Sequence, residues 1–147
     1  MNILVKVSGD LVDNEEFYNW LSFLDSSLNN LFILCGGGTK ITNVLKEHSI
    51  SFKFGPRGRE IESLEGKKLA KQVLEEQKLY VERKLKERRI KAIVFIPVIE
   101  VGGWIFHING DELALALYPN FDKIFIVTIK TKAKSFPNLS KIKVVHF

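Results

Sequence analysis

The sequence predicts an α/β domain, namely a three-layer αβα sandwich with a mostly parallel central sheet. Several short runs, such as LFILC at 31–35, are apolar at every position, which is typical of strands that helices cover on both faces. These runs alternate with helical patterns along the chain, which favours a parallel sheet. The chain has 147 residues, of which 46% are hydrophobic and 27% charged, so we expect one globular domain over 1–147.

The first half of the chain contains two strand–helix pairs. ILVKV at 3–7 is the first predicted strand. Asp13 then supplies an N-cap signal, and apolar residues at spacings of three and four predict a helix over 14–28. The strand at 31–35 is followed by three glycines and by a short predicted helix over 39–48.

The middle of the chain predicts a loop and a long helix. Residues 50–60 contain two glycines and a proline, which favours an exposed loop. The stretch from Glu60 to about Arg89 is charged and helix-favouring and has no proline. We therefore expect one long helix there, with a kink at Gly66.

The last third predicts four strands and one helix. We expect strands over 91–98, 103–108, 122–129 and 141–147. Gly102 and Gly103 favour pairing of the second of these runs in a hairpin. Asp111 is expected to cap a helix that runs to Tyr118.

The net charge of +5 raises the question of an acidic partner. Lysine and arginine are densest at 78–91, where glutamates are interleaved with them. That mixture is more typical of a solvated helix face than of a nucleic-acid interface, so we expect no nucleic-acid partner. A second basic cluster, IKTKAK at 129–134, contains no acidic residue and is the better candidate to contact an anion.

The sequence carries no signal for secretion or for a membrane. Its N-terminus lacks the basic start and the long apolar run of a signal peptide, and no apolar run reaches the roughly 18–20 residues that span a bilayer. The single cysteine, Cys35, cannot form an intrachain disulfide. We therefore expect a cytoplasmic protein without a membrane partner.

A lysine lies within the first predicted strand, where its neighbours are apolar. A buried unpaired charge is costly, so Lys6 either reaches the surface along its aliphatic stem or meets an anion. The strand leads directly into a polar turn. In α/β proteins ligands bind at this end of the sheet, which makes Lys6 a candidate for anion binding.

Three consecutive glycines, Gly36, Gly37 and Gly38, follow the second strand. They allow the backbone to approach a ligand closely, and the N–H groups and dipole of the next helix favour an anion there. A purely structural turn is the alternative. Together with Ser8 and Gly9, which turn the chain after the first strand, the glycines form a candidate phosphate cradle.

Neither a P-loop nor a dinucleotide-binding fingerprint occurs in the sequence. What does occur is K-V-S-G (6–9), G-G-G (36–38), G-P-R-G-R (55–59) before a long helix, N-G-D-E-L-A (109–114), and a strand that ends at Thr128. In this order and spacing, the motifs resemble the amino-acid kinase superfamily. That group includes the uridylate, acetylglutamate, aspartate and carbamate kinases, so the resemblance implies a carbamate-kinase-like sandwich.

The resemblance implies a phosphoryl-transfer site. In such kinases the lysine of the first motif, here Lys6, stabilises the transferring phosphoryl group. The glycines of the first two motifs, here Gly9, Gly37 and Gly38, donate N–H groups to it. The aspartate of N-G-D, here Asp111, holds the catalytic lysines in position, although a plain helix N-cap is the structural alternative.

The resemblance also implies the acceptor side of the site. Arg57 or Arg59 is expected to grip the acidic group of the acceptor, a small acidic or phosphorylated metabolite. Asn109 is placed beside the substrate, and His107 either contacts the acceptor or lies at the edge of the core. ATP and Mg²⁺ are the implied cofactors, and we identify no metal ligands in the sequence.

The chain departs from the superfamily after Thr128. The relatives continue into a nucleotide-binding lobe, which is lacking here, and no aspartate follows Asp122. A second copy or a separate nucleotide-binding subunit would complete an enzyme, with Lys130, Lys132 and Lys134 as candidates for phosphate contacts. A non-catalytic phosphate- or metabolite-binding module and a fragment of a longer, truncated product are the other interpretations. The relatives commonly dimerise through this lobe, so we expect a homodimer with the long helix as its contact surface.

Overall fold

A computed structural model describes all the residues, Met1–Phe147. The helices and strands, in chain order, are β1 (Asn2–Val7), α1 (Glu15–Leu24), β2 (Asn30–Cys35), α2 (Gly38–Glu47), β3 (Lys53–Gly55), β4 (Gly58–Glu60), α3 (Leu64–Glu87), β5 (Ile93–Phe95), β6 (Val98–Val101), β7 (Trp104–His107), α4 (Gly110–Ala116), β8 (Lys123–Thr128) and β9 (Ile142–His146). Short 3-10 turns lie at Gly9–Leu11 and Tyr118–Asn120.

The central sheet has five strands, all parallel, in the order β5-β2-β1-β8-β9. β1 is the middle strand. Val7 near its end lies opposite Cys35 of β2 and Val127 of β8, so three strands end side by side. The predicted fold class, an αβα sandwich with a mostly parallel sheet, is confirmed.

Helices cover both faces of this sheet. α1 and the second half of α3 pack on the face that carries Val5, whereas α4 packs on the face that carries Leu4. Successive residues of a strand point to opposite faces, so Lys6 shares the α4 face with Leu4. α2 packs against the first half of α3 in a separate apolar cluster. None of the four helices combines the length and the apolarity needed to cross a bilayer.

Cys35 is the last residue of β2 and lies directly before the glycines. Its side chain is fully buried. Burial raises the pKa of the thiol to about 12. Because the thiolate is the reactive form, Cys35 is inert at neutral pH while this part of the chain stays folded.

The boundaries of α1 and α3 differ from the sequence prediction. α1 is capped by Asn14, whose side chain accepts a hydrogen bond from the N–H of Phe17 at 3.0 Å, and not by Asp13. It ends at Leu24 because an Asp-Ser-Ser stretch follows, and those residues favour turns over helix interiors. α3 begins after Ser63, so Gly66 lies in its first turn and the expected kink at that glycine was wrong.

The loop predicted over 50–60 is a hairpin. β3 and β4 pair in antiparallel register, with Gly55 opposite Gly58 and a two-residue turn at Pro56 and Arg57. Gly58 has φ of +112°, a conformation that residues with a side chain rarely adopt. The proline and glycines therefore mark the tip of a hairpin rather than an irregular loop.

The strand predicted over 91–98 is two strands of different sheets. β5 ends at Phe95, and Pro97, which has no N–H to donate, separates it from β6. β6 pairs with β7 across Gly102 and Gly103, which have φ of +56° and +82°. The predicted hairpin at Gly102 and Gly103 is confirmed, and the strand that pairs with β7 is β6, which begins at the end of the predicted 91–98 run.

Candidate functional site

A cavity of about 260 Å³ lies at the carboxyl ends of β1, β2 and β8. After β1 the chain adds β2 and β5 on one side of the sheet, and then crosses to add β8 and β9 on the other. Parallel sheets leave a crevice at such a reversal of strand order. The site therefore lies where the topology of the sheet favours ligand binding.

Lys6 reaches this cavity from the middle strand. The residue is only 8% exposed, and its Nζ lies 3.1 Å from Oδ1 of Asp111 in the first turn of α4. A Cβ at Gly36 would lie 3.4 Å from Nζ of Lys6, and one at Gly110 would lie 2.7 Å from its Cε. Glycines on both sides thus leave room for the lysine side chain.

Asp111 bridges two lysines. Its Oδ2 accepts a hydrogen bond from Lys134, which lies beyond the end of β8, while Oδ1 faces Lys6. The α4 N-cap is Asn109, whose side-chain oxygen accepts from the N–H of Glu112 at 3.1 Å. The expectation that Asp111 caps the helix was therefore wrong. We call Lys6, Asp111 and Lys134 the cavity cluster.

Burial and charge act in opposite directions on the cavity cluster. Burial lowers the pKa of Lys6, and the neighbouring Asp111 only partly opposes that shift. Burial acts to raise the pKa of Asp111, but Lys6 and Lys134 together outweigh it and hold that pKa below its ordinary value. Asp111 is therefore ionised at neutral pH. A further anion beside Lys6 would favour the charged lysine.

Two glycine turns add backbone donors to the same cavity. The N–H groups of Gly9, Gly37 and Gly38 donate to no backbone carbonyl, and no side chain caps α2 at Gly37. A Cβ at Gly9 would lie 2.5 Å from the backbone of Gly37, so the two turns are in close contact. The N–H of Thr39 in the first turn of α2 donates to the carboxylate of Asp10, so the N–H groups of Gly37 and Gly38 are the ones that remain free beside the cavity.

Arg59 of β4 closes one side of the cavity. Its Nη2 donates to the carbonyl of Gly38 at 3.1 Å and to Oγ1 of Thr42 at 3.0 Å, while its buried Nε has no partner. The guanidinium carbon lies 5.8 Å and 5.1 Å from the ring centres of Phe52 and Phe54. No carboxylate pairs with this cation in the structure, and burial lowers its pKa.

Three other predicted residues line the cavity in structural roles. The oxygen of Ser8 accepts a hydrogen bond from the N–H of Asp10 at 3.3 Å. Nε2 of His107 lies 2.8 Å from the carbonyl oxygen of Lys67, and the histidine must be the donor because a carbonyl can only accept. Burial lowers the pKa of His107. Asn109 is the α4 cap described above.

The basic segment after β8 reaches the cavity with two of its lysines. Lys132 and Lys134 line it, whereas Lys130 does not. Thr128 at the end of β8 is 1% exposed, and its Oγ1 has no hydrogen-bond partner. Arg57 lies outside the cavity, where its largely exposed side chain pairs with Glu112 at 2.9 Å.

Some contributors carry no motif in the sequence. Asp10 accepts hydrogen bonds from both the N–H and the hydroxyl of Thr39 at the start of α2. Gln77 of α3 donates to the carbonyl of Gly37 at 3.1 Å and is 3% exposed. Gln77 lies on the buried face of α3, where the other buried residues are apolar or glycine. A polar residue at such a position was the signal in the sequence that could have identified it.

The cavity is strongly cationic. The basic side chains that line it are those of Lys6, Arg59, Lys132 and Lys134, against the single carboxylate of Asp111. The structure contains no cluster of His, Cys, Asp and Glu side chains that could hold a metal ion. Charged donors and free backbone N–H groups in one small cavity suit a carboxylate or phosphate ligand.

Comparisons with known proteins inform the fold. No family model matches the chain. No curated protein matches it either. Among solved structures, it is similar to smu.665 from Streptococcus mutans UA159, with a TM-score of 0.68 at 16% sequence identity over 86% of this chain and 72% of that chain. At this identity the likeness supports the α/β fold alone.

Proposed function

We propose that the chain is a phosphotransferase of the amino-acid-kinase type, which transfers a phosphoryl group to a small acidic or phosphorylated metabolite. The observation that carries the proposal is the cavity cluster, in which Asp111 holds Lys6 and Lys134 beside the glycine turns. Phosphoryl transfer needs alignment and charge stabilisation more than covalent chemistry. Two oriented lysines and free N–H groups supply those needs.

Each part of the cavity has a role in this proposal. Lys6 and Lys134 stabilise negative charge on the transferring group, and Asp111 fixes both ammonium groups. The N–H groups of the glycine turns hold its oxygen atoms. Arg59 has no carboxylate partner in the chain, so it is the cation available to the acidic group of the acceptor.

The cavity fits the phosphate end of ATP better than the whole nucleotide. Its volume of about 260 Å³ lies below the roughly 300–1,000 Å³ of sites for drug-sized ligands. Both oxygens of Asp111 face lysines, so the donor set does not fit Mg²⁺. We propose that a second copy of this chain binds the nucleoside, so that the protein alone suffices for binding of ATP. We assign this function to the cytoplasm.

A second candidate function is non-catalytic binding of the same anion. The small cavity favours it, because a lone phosphate or a small carboxylate needs no nucleoside site. The two functions share the same residues and differ only in whether a nucleotide binds. Titration calorimetry separates them.

The first experiment titrates the chain with inorganic phosphate and, separately, with ATP and Mg²⁺. The kinase proposal predicts heat with both, and transfer of γ-³²P from labelled ATP to a compound in a small-molecule extract of cells. Lys6→Met should abolish both, because the cavity loses its buried ammonium group. Binding of phosphate without binding of ATP would instead support the second function.

The matched control is Lys84→Met. Lys84 pairs with the exposed carboxylate of Glu15 outside the cavity, so its loss should leave phosphate binding unchanged. Circular dichroism establishes that both variants are folded. Unchanged phosphate binding by Lys6→Met, or absence of phosphate binding by the wild-type chain, would contradict both functions.

A further inference from the structure

The hairpin of β6 and β7 carries an apolar face that no part of the chain covers. Ile99 lies opposite Phe106, and Val101 lies opposite Trp104. Residues directly opposite in an antiparallel pair share a face, so these four side chains form one surface. Each is 48–66% exposed. We call this surface the hairpin face.

The other face of the hairpin packs on the body of the domain. Ile105 is only 5% exposed, Glu100 pairs with Lys71 of α3, and His107 donates to the carbonyl of Lys67. The hairpin is thus held against α3 by one face. Val98, on the same face, packs against the apolar cluster of α2 and α3, so the apolar side chains that point away from the domain are those of the hairpin face.

The hairpin face is large for a chain of this size. Large apolar side chains present on the order of 150–250 Å² each when fully exposed, so the four at their observed exposures present roughly 400 Å². Covering two such faces removes about 800 Å², close to the roughly 1,000 Å² of the smallest specific interfaces. A second copy with the same surface therefore provides enough area for a weak, reversible contact but not for a permanent one.

We propose that the hairpin face binds the hairpin face of a second copy of this chain about a twofold axis. An isologous contact requires a self-complementary surface, and an uncharged apolar face meets that condition. The flanking Glu100 is acidic and already paired with Lys71, which disfavours anionic lipid or nucleic acid as the occupant. The homodimer contact is thus assigned to the hairpin and not to the long helix.

The contact would also lie next to the cavity. Pro97 precedes the hairpin, and His107 ends it, and both line the cavity. A partner on the free face would therefore bind beside two residues that line the cavity. The proposal does not depend on the function proposed above, because it concerns association alone.

Sedimentation velocity over a wide range of protein concentration tests the dimer. We expect a shift from 16.8 kDa toward twice that mass, with dissociation on the order of 10 µM because the area is small. Trp104→Lys should remain monomeric throughout, since it places a charge within the proposed contact. Trp104 is 66% exposed, so this variant leaves the core unchanged.

Leu79→Lys is the matched control. Leu79 is also 66% exposed but lies on α3, the surface that the sequence suggested for the dimer. The proposal predicts that Leu79→Lys dimerises like the wild type. A monomeric wild type at every concentration, or dissociation by Leu79→Lys with Trp104→Lys unaffected, would overturn it. Flotation of a monomeric wild type with anionic vesicles would identify a membrane as the occupant instead.

Discussion

Two carboxylates in this molecule each bridge two cations, one in the cavity and one on the surface. The two sets are Lys6–Asp111–Lys134 and Lys84–Glu15–Arg88. We call the second the surface cluster. Its central Glu15 side chain is 57% exposed, whereas that of Asp111 is 22% exposed. The clusters are chemically alike, so burial is the main difference between them.

Burial determines whether the charges of each cluster are stabilised by the cluster itself. On the surface, the hydrogen bond from Lys84 lowers the pKa of Glu15, and Glu15 in turn raises the pKa of Lys84. In the cavity, burial lowers the pKa of Lys6 despite its carboxylate partner. The surface cluster therefore satisfies its own charges, while the cavity cluster retains a lysine that a bound anion would stabilise.

Asp111→Asn is expected to cause the largest loss of stability. The substitution leaves a buried lysine without its carboxylate, which we expect to cost about 2–3 kcal/mol of unfolding free energy, reduced because Asp111 is partly exposed. Urea denaturation measures it. The equivalent change at the surface, Glu15→Gln, should barely move the midpoint. An equal loss of unfolding free energy in Asp111→Asn and Glu15→Gln would show that burial does not make the cavity cluster more dependent on its carboxylate than the surface cluster.

Gly9→Ala should have the next largest effect. The new Cβ would lie 2.5 Å from the backbone of Gly37, which cannot yield like a side chain, so we expect a loss of about 2 kcal/mol and of phosphate binding. Both charged clusters keep all their residues. The control is Gly103→Ala, where no atom lies within 4 Å and only the φ of +82° costs about 1 kcal/mol. Intact phosphate binding in Gly9→Ala would exclude the glycine turns from the site.

The pH dependence of stability distinguishes the two charges of the cavity cluster. The folded-state pKa of Asp111 is below its ordinary value of 3.8, so its stabilisation is present above that pH and is lost as pH falls through the folded-state pKa. The pKa of Lys6 is also lowered, so stability rises as pH increases from that pKa toward 10.5.

Urea midpoints measured against pH test this sign. Asp111→Asn should lose part of the acid dependence, and Lys6→Met should lose the rise at alkaline pH. An unaltered acid limb in Asp111→Asn would mean that this carboxyl is not held in its ionised form by the two lysines.

The smallest effect is expected for Lys134→Met. It removes one of two ammonium groups from the cavity and leaves Lys6 paired with Asp111, so phosphate affinity should fall by about tenfold while the fold remains. Titration calorimetry measures it, with Lys84→Met as the surface equivalent. Identical affinities in the two variants would remove Lys134 from the site.

The sequence predicts the sheet better than it predicts the site. Apolar runs identify β1, β2 and β8 most clearly, because burial on both faces is visible in each of these runs by itself. The edge strands β5 and β9 are less buried and give a weaker signal. The alternation also places Lys6 and the glycines at one end of the sheet. These are local properties, and the structure confirms the fold that they indicate.

The errors arise where the outcome depends on contacts between distant segments. Asn109 and Asp111 are both good helix caps, and only the arrival of Lys134 from beyond β8 favours a lysine bridge for Asp111. Arg57 and Arg59 are equivalent in sequence, but the pairing of β3 with β4 places Arg59 beside the cavity and Arg57 outside it. No local pattern contains that information.

The buried thiol of Cys35 allows opening of the adjacent glycine turn to be measured by chemical labelling. It is the single cysteine of the chain and immediately precedes Gly36, so a thiol reagent can label the protein only when the end of β2 opens. Under conditions where reagent is not limiting, the labelling rate reports the frequency of that opening. A phosphate that binds the closed turn should slow the labelling. The same chain thus reports, without any added probe, how often its candidate site comes apart.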